Sequence, residues 1–207
     1  RNVFVPKLED ATFAGTGKSG RCTLLLTEGD SGKAFAMRVR PNNEEYGVWS
    51  LKGKGLNVRS ATHSQLINNE EINYLKQIMG LEQGKVYKNT SSLRYGRIML
   101  LTDADTDAAH IRGLIINLFD TWWPSLLKLE PSFIVSLRTP IVKATCGKTK
   151  KEFLTEQDYE TWKAGFNDTQ LKKWRIHYYK GLGTSTKEDA KDIMKRINDL
   201  VLEYYYK

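Results

Sequence analysis

The chain has 207 residues, a formal net charge of +8 with a pI near 9.3, and 40% hydrophobic residues. That length and apolar content suffice for one sizeable α/β domain or a domain carrying an insertion, and they exclude disorder over most of the sequence. Cys22 and Cys146 stand far apart without a CxxC or Cys/His pattern, which excludes a zinc finger or a disulfide framework and fits a reducing compartment. The longest apolar stretch, Gly113 to Leu129, is broken by Asn117, Asp120 and Pro124 and is too short and polar to span a bilayer. No signal peptide is expected from the opening residues. It starts at Arg1 rather than Met and stops at Tyr204-Tyr205-Tyr206-Lys207, so further domains are expected beyond it.

Residues 1–20 read as a polar, Gly-containing linker. An apolar strand over Cys22–Thr27 runs into a Glu28-Gly29-Asp30 turn, with Ser31 expected to cap a short helix through Met37. Arg38 to Asn43 is expected as a loop. Tyr46 to Asn57 reads as a strand ending in a turn, where Gly47, Gly53 and Gly55 let backbone approach a ligand. Leu66, Ile67, Ile72, Leu75, Ile78 and Met79 predict one or two amphipathic helices over His63–Met79, and Glu82–Ser92 a polar linker. A second buried strand, Arg97–Thr102, is followed by a helix from near Asp107 to Pro124, with Ile111, Leu114, Ile115, Leu118 and Phe119 on one face. Strands are expected over Phe133–Ala144, Lys151–Leu154 and Arg175–Tyr179, a helix over Thr155–Lys163, and a closing helix from Thr186 to Tyr204. Alternation of strand and helix argues a largely parallel sheet.

Four carboxylates sit where apolar strands run out: Glu28 after Thr23–Thr27, and Asp103, Asp105 and Asp107 after Ile98–Thr102. In open α/β sheets functional groups gather outside the carboxyl ends of strands, so two neighbouring strands would aim these acids at one crevice. Crowded carboxylates repel, and Mg²⁺ relieves that repulsion while holding phosphate oxygens in octahedral geometry. A basic chain that concentrates acid at one locus suits DNA and phosphodiester chemistry. A helix N-terminus by itself accounts for Asp107 and Asp105, but not for acids at alternate positions after an apolar strand. Gly17-Lys18-Ser19 resembles the end of a P-loop, yet Thr12 stands where that loop needs Gly and the strand follows rather than precedes it. Asp103-Ala104-Asp105-Thr106-Asp107 fails as an EF-hand, with Ala108 and Leu114 at its sixth and twelfth positions. A phosphatase using Asp103 as an aspartyl nucleophile is the alternative enzyme class.

Three segments carry a specific resemblance: Leu26-Thr27-Glu28-Gly29-Asp30-Ser31, Leu101-Thr102-Asp103-Ala104-Asp105-Thr106-Asp107-Ala108-Ala109-His110-Ile111, and Tyr178-Tyr179-Lys180-Gly181-Leu182-Gly183-Thr184-Ser185. Further matches are Lys52–Arg59, Asn69–Asn73, Leu93–Gly96, Trp123–Leu126 and Thr139–Lys143. Together they resemble the Toprim domain of type IIA DNA topoisomerases, closer to the eukaryotic and large-virus homodimers than to bacterial gyrase. The resemblance implies a Rossmann-like, mostly parallel α/β sheet flanked by helices with an inserted segment. It further implies a Toprim metal-binding domain over residues 21–195, and a C-terminal helix over 196–207 leading to an absent winged-helix domain.

The implied activity is transient double-strand DNA cleavage and religation by a tyrosine from another domain, with ATP hydrolysed in an absent ATPase region. This chain alone is expected to be inactive. Two Mg²⁺ ions are implied: Glu28, Asp103 and Asp105 around one, Asp105 and Asp107 around the other. Glu28 is implied to exchange a proton with the 3′ oxygen during religation, and His110, one helical turn beyond Asp107, to assist cleavage. Lys54, Asn57, Arg59, His110 and Lys180 align with positions lining the cleaved duplex. The implied partners are double-stranded DNA, the remaining domains of the enzyme and a second copy, at the nucleus or a viral replication site and without membrane. A Toprim primase or nuclease would share the acids but lack Lys180–Ser185. Ala108 departs from the family's usual Gly and is expected in the first turn of its helix, and Arg38–Asn43 replaces a Gly-rich stretch. The Arg94-Tyr95 pair imitates the family's nucleophile motif but falls within the Toprim match, and is expected to serve packing.

Overall fold

The computed structural model describes residues 2–52, 61–101, 108–179 and 186–203, the side chains of 108–110 excepted. Its framework is a five-stranded sheet built from β1 (Thr23–Glu28), β2 (Tyr46–Leu51), β3 (Arg97–Leu101), β4 (Ile134–Leu137) and β8 (Val201–Glu203), in the order β2-β1-β3-β4-β8. The first four are parallel, and only the edge strand β8 runs antiparallel, against β4. Parallel strands need crossovers, and these are α1 (Gly29–Val39), the pair α2 (His63–Asn68) and α3 (Glu70–Met79), and α4 (Ala108–Trp122) with α5 (Pro124–Leu127).

Helices on both faces explain why the strands are apolar throughout rather than alternating. Leu24, Leu26, Ile98, Leu100 and Ile134 pack with Leu75 and Ile78 of α3 and with Ile111, Ile115, Leu118 and Phe119 of α4. On the opposite face Leu25, Val48, Met99, Leu101 and Val135 pack with Phe35, Ala36 and Val39 of α1 and with Ala190 and Ile193 of α8 (Lys187–Lys195).

A second sheet, not expected from the sequence as a separate unit, has the order β6-β5-β7 and is antiparallel, from β5 (Val142–Cys146), β6 (Thr149–Phe153) and β7 (Arg175–Tyr178). Helices α6 (Glu156–Ala164) and α7 (Asp168–Leu171) accompany it. Thr155 caps α6 as expected, accepting the Asp158 amide. The core of this unit is small and aromatic: Val142, Ala144, Phe153 and Tyr159 are buried, with Trp162, Trp174 and Ile176 packed around them.

Four expectations are corrected. The stretch Phe133–Ala144 is not one strand, because β4 and β5 belong to different sheets and Pro140, which lacks an N–H, lies between them. The closing helix ends before Tyr204, and the described part of the expected C-terminal helix, residues 196–203, is not helical in that way: α8 stops at Lys195, a 3₁₀ turn follows over Ile197–Leu200, and Val201–Glu203 pairs with β4, while 204–207 lie outside the described residues. The open edge of β4 offers backbone partners that a helix cannot use, and a run ending in Val and Tyr residues is β-prone. Ser31 lies inside α1 rather than capping it, since the helix starts at Gly29, whose φ of +67° turns the chain directly out of β1. Gly47 does not meet a ligand: a Cβ there would overlap the phenol of Tyr95.

Tyr95 organises the amino-terminal segment. Residues expected as a polar linker are fastened to the core: Val5, Ala11 and Ala14 are buried, and Glu9 bridges to Val48 of β2. The Tyr95 hydroxyl accepts the Ala11 amide at 2.9 Å and donates to Asp10 at 2.6 Å, while Arg94 pairs with the same carboxylate and donates to the Ile78 carbonyl at 2.9 Å. Burial, with the Asp10 charge, pushes the Tyr95 phenol far above its ordinary range, which rules out a nucleophilic phenolate and bears out the packing role. Gly17-Lys18-Ser19 leads into a single 3₁₀ turn over Ser19–Arg21, with the Ser19 hydroxyl spent on the Thr16 carbonyl, so no phosphate loop exists there.

Gly47→Ala is expected to destabilise the chain by about 1–3 kcal/mol through overpacking. Urea unfolding checks this, and in the Tyr95→Ala background the added cost should largely vanish, since the two residues share one space.

Candidate metal and nucleic-acid site

The register of the parallel strands defines the site. β1 pairs β2 with Glu28 opposite Leu51, and pairs β3 with Thr27 opposite Leu101. Three strands therefore finish level with one another, about 4.8 Å apart, on one edge of the sheet. Glu28 is the last residue of β1, exposed at that edge. It stands just before α1 in extended conformation (φ −109°, ψ 127°), where an acid normally bonds the first-turn amides, yet its side chain makes no capping bond. Among the described residues no cation pairs with it. A carboxylate left out of both capping and ion pairing, exposed at the strand-end crevice, suits a hard divalent cation.

Asp103, Asp105 and Asp107 lie outside the described residues, as do Lys54, Asn57, Arg59 and Lys180, and nothing is described of the His110 side chain. The backbone on either side is described. β3 ends at Leu101 and α4 begins at Ala108, so Ala108 opens a helix as expected, in a position that needs no glycine. No group of three or more potential metal ligands occurs among the described residues.

Two polar devices bracket the undescribed segments, and neither was expected from the sequence. Asn69 caps α3 by accepting the Ile72 amide, which sets Glu71 facing the end of β2, and the Lys52 amide donates to both Glu71 oxygens at 3.2 Å. The strand end leading to residues 53–60 is thereby tied to a helix. Asp189 bonds the described residues on either side of 180–185. Its carboxylate accepts the Tyr179 hydroxyl at 3.1 Å and the Thr186 amide at 3.2 Å, and the Asp189 amide returns a bond to the Thr186 hydroxyl. Lys143 of β5 lies 3.5 Å from the same carboxylate and near Glu152 and Asp192. Thr186-Lys187-Glu188-Asp189 is a capping box legible in the sequence, and that signal would have found Asp189.

Partial burial raises the pKa of Asp189, but the Thr186 and Tyr179 bonds and the Lys143 charge outweigh it and hold it below the ordinary carboxylate value. Burial alone would lower the pKa of Lys143, whereas Tyr179, Asp189 and Glu152 leave it raised. Burial pushes the Cys22 thiol up to about 11, which makes it unreactive at neutral pH. No helix among the described residues is long and apolar enough to cross a membrane.

The Toprim domain family matches residues 23–136, and the C-terminal associated domain of Toprim matches residues 137–207. The chain belongs to the Toprim family. This Toprim chain is 48% identical over 210 residues to a DNA topoisomerase 2 of Acanthamoeba polyphaga mimivirus, aligning 99% of itself with 16% of that protein. It is 49% identical over 199 residues to a DNA topoisomerase 2 of Arabidopsis thaliana, covering 94% of itself and 13% of that protein. To the human DNA topoisomerase 2-alpha it is 43% identical over 207 residues, with 98% and 13% covered. A solved structure of the Plasmodium falciparum topoisomerase II DNA-binding, cleavage and re-ligation domain superposes with a TM-score of 0.91 at 43% identity, covering all of this chain and 28% of that one. The Toprim chain thus spans only 13–16% of these curated relatives. The fold expected from the sequence, an α/β Toprim architecture with a mostly parallel sheet and an inserted segment, is the fold observed.

A depressed acid contributes stability above its unfolded-state pKa, and that contribution is lost as pH falls through the folded-state value. The stability difference between the parent and Asp189→Asn should therefore be constant above about pH 5 and close as the pH drops below the ordinary value of 3.8. Denaturant titrations at a series of pH values test this, and a gap that widens on acidification contradicts the assignment.

Proposed function

We propose that this chain is the metal-binding portion of a type II DNA topoisomerase, supporting double-strand cleavage and religation by a tyrosine from a winged-helix domain. The observation that carries the reading is the level ending of β1 and β3, Thr27 opposite Leu101, which sets Glu28 beside the strand from which Asp103–Asp107 continue in the chain. The names of relatives at 43–49% identity support it. Residues 21–195 form the working unit in this reading, and 196–207 lead on toward the winged helix.

Glu28, Asp103, Asp105 and Asp107 would hold up to two Mg²⁺ ions, and the donor chemistry fits: the one acid described, Glu28, is exposed and unspent, and all four are hard oxygen ligands. When bound, Mg²⁺ supplies Lewis-acid stabilisation of charge on the 3′ oxygen and anchors adjacent phosphate. The chain's own residues do the remaining work. Glu28 exchanges a proton at the 3′ oxygen, and His110 assists from the first turn of α4. Lys54, Asn57, Arg59 and Lys180 position the duplex backbone. Glu71 and Asp189 bond the described residues that flank the segments bearing those cations, Lys52 on one side and Tyr179 and Thr186 on the other. The whole enzyme would be a homodimer that hydrolyses ATP through a separate region and acts in the nucleus or at a viral replication site.

Glu28→Gln and Asp105→Asn should each weaken Mn²⁺ or Mg²⁺ binding by about tenfold or more, measured by calorimetry on the chain. In the full-length enzyme the same changes should slow cleavage about 10²- to 10³-fold. His110→Ala should leave the unfolding midpoint unchanged and still weaken cleavage. Undiminished supercoil relaxation by Asp105→Asn at limiting Mg²⁺ would sink the reading.

A further inference from the structure

The three-stranded sheet has two chemically different ends. At the end joined to the main sheet, Lys143 and Arg196 are paired among the described residues: Lys143 lies within 4.0 Å of Glu152, Asp189 and Asp192, and Arg196 bonds Glu152 at 2.6 Å and Asp192 at 2.8 Å. At the opposite end the cations stand alone. Lys148 follows the turn glycine Gly147 between β5 and β6, Lys150 and Lys151 open β6, and Lys172, Lys173 and Arg175 lead into β7. All six are exposed, and among the described residues none has an acidic partner within 4 Å.

The strand register brings Lys148, Lys150 and Arg175 to one end. Thr145 is opposite Lys150 on one side and Arg175 on the other, so those two cations share a face of the sheet, two strand spacings or about 10 Å apart. Cys146 opposite Thr149 closes the hairpin and brings Lys148 to the same end. Lys151, opposite Ala144, lies on the other face; like charges gathered at one end raise the energy of the isolated domain, and a polyanion removes that cost.

We propose that this free end of the sheet is a second contact surface for the phosphate backbone of duplex DNA, separate from the metal crevice at Glu28. The inference rests on the topoisomerase reading and extends it. The chemistry favours nucleic acid over an acidic protein. Lysine is depleted at protein interfaces, which rely on a desolvated apolar or aromatic centre, and the exposed side chains at this end of the sheet are mostly long cations. Point cations on flexible stems suit sequence-independent phosphate contact, in which released counterions supply the affinity. β5 carries the patch about 14 Å along its length from Val142, the end of the small sheet that follows from the carboxyl end of β4, so the patch lies at the far end of β5 from that junction.

The test is duplex binding by the full-length enzyme that carries this chain, followed by fluorescence anisotropy in EDTA across about 50 to 200 mM salt. The triple variant Lys150→Gln/Lys172→Gln/Arg175→Gln should flatten the plot of log affinity against log salt by about two to three, at roughly 0.9 for each phosphate that is no longer neutralised. Cleavage at saturating DNA and the thermal midpoint should equal the parent's. Lys172→Gln/Lys173→Gln, in the turn before β7 and outside any strand, should flatten it by up to about two if the strand variant folds poorly. An unchanged slope in both variants overturns the proposal, and so does a fall in cleavage at saturating DNA. Tighter binding of the parent to a poly-glutamate peptide than to a duplex of equal charge, abolished in the triple variant, assigns the surface to a protein partner and overturns it equally. A parent enzyme that binds no duplex at all defeats the topoisomerase reading itself, whereas a parent that binds with variants indistinguishable from it defeats only the second surface.

Discussion

The parallel pairing of β1 with β3 is the constraint on which the rest of the structure depends. Parallel neighbours finish on the same edge, and a one-residue slip would reverse which side chains meet each helix layer. That register is enforced by apolar residues on both faces: Leu24, Leu26 and Leu100 pack toward α3 and α4, and Leu25, Met99 and Leu101 toward α1 and α8. A slip would carry whole layers of leucine against the wrong partners, so the core specifies the edge at which Glu28 emerges. The chemistry of the crevice is a by-product of how leucines pack several residues away.

Much of this was legible in the sequence where local and tertiary signals agree. Uninterrupted apolar runs before Glu28 and before Asp103 could only be strands covered on both faces, and the spacing of Ile111, Ile115, Leu118 and Phe119 gave α4 its buried face. Ala108 followed from the same logic. The failures fall where long-range partners decide. Val201–Glu203 continues an amphipathic pattern, and only the open edge of β4 turns it into a strand. Pro140 reads as an interruption within a strand, and only the two-sheet arrangement makes it a boundary. Gly47 carries no sign in sequence that its missing side chain makes room for Tyr95, 48 positions later.

The candidate site was legible in a different way. The acids announce themselves by type and spacing, because few other reasons place so many beyond apolar strands. Their supports do not. Glu71 and Asp189 look like ordinary helical acids, and their work appears only when the Lys52 amide and the Tyr179 hydroxyl are found on them. Each holds a strand end or a helix start, rigid elements of the kind that position functional groups well. The small sheet contributes through Lys143, which ties its β5 to Asp189 of α8 and so joins the inserted unit to the helix layer of the main sheet.

The fastening of Asp10 and Ala11 to Arg94 and Tyr95 has a mechanical side. Those two residues directly precede Gly96 and β3, the strand that runs out at Leu101. A pull on the chain near Asn2 is therefore not absorbed by slack in a loose leader. It is handed across a half-buried ion pair and a buried phenol to the central strand of the sheet, so that tension and the geometry of the crevice share one load-transmitting path.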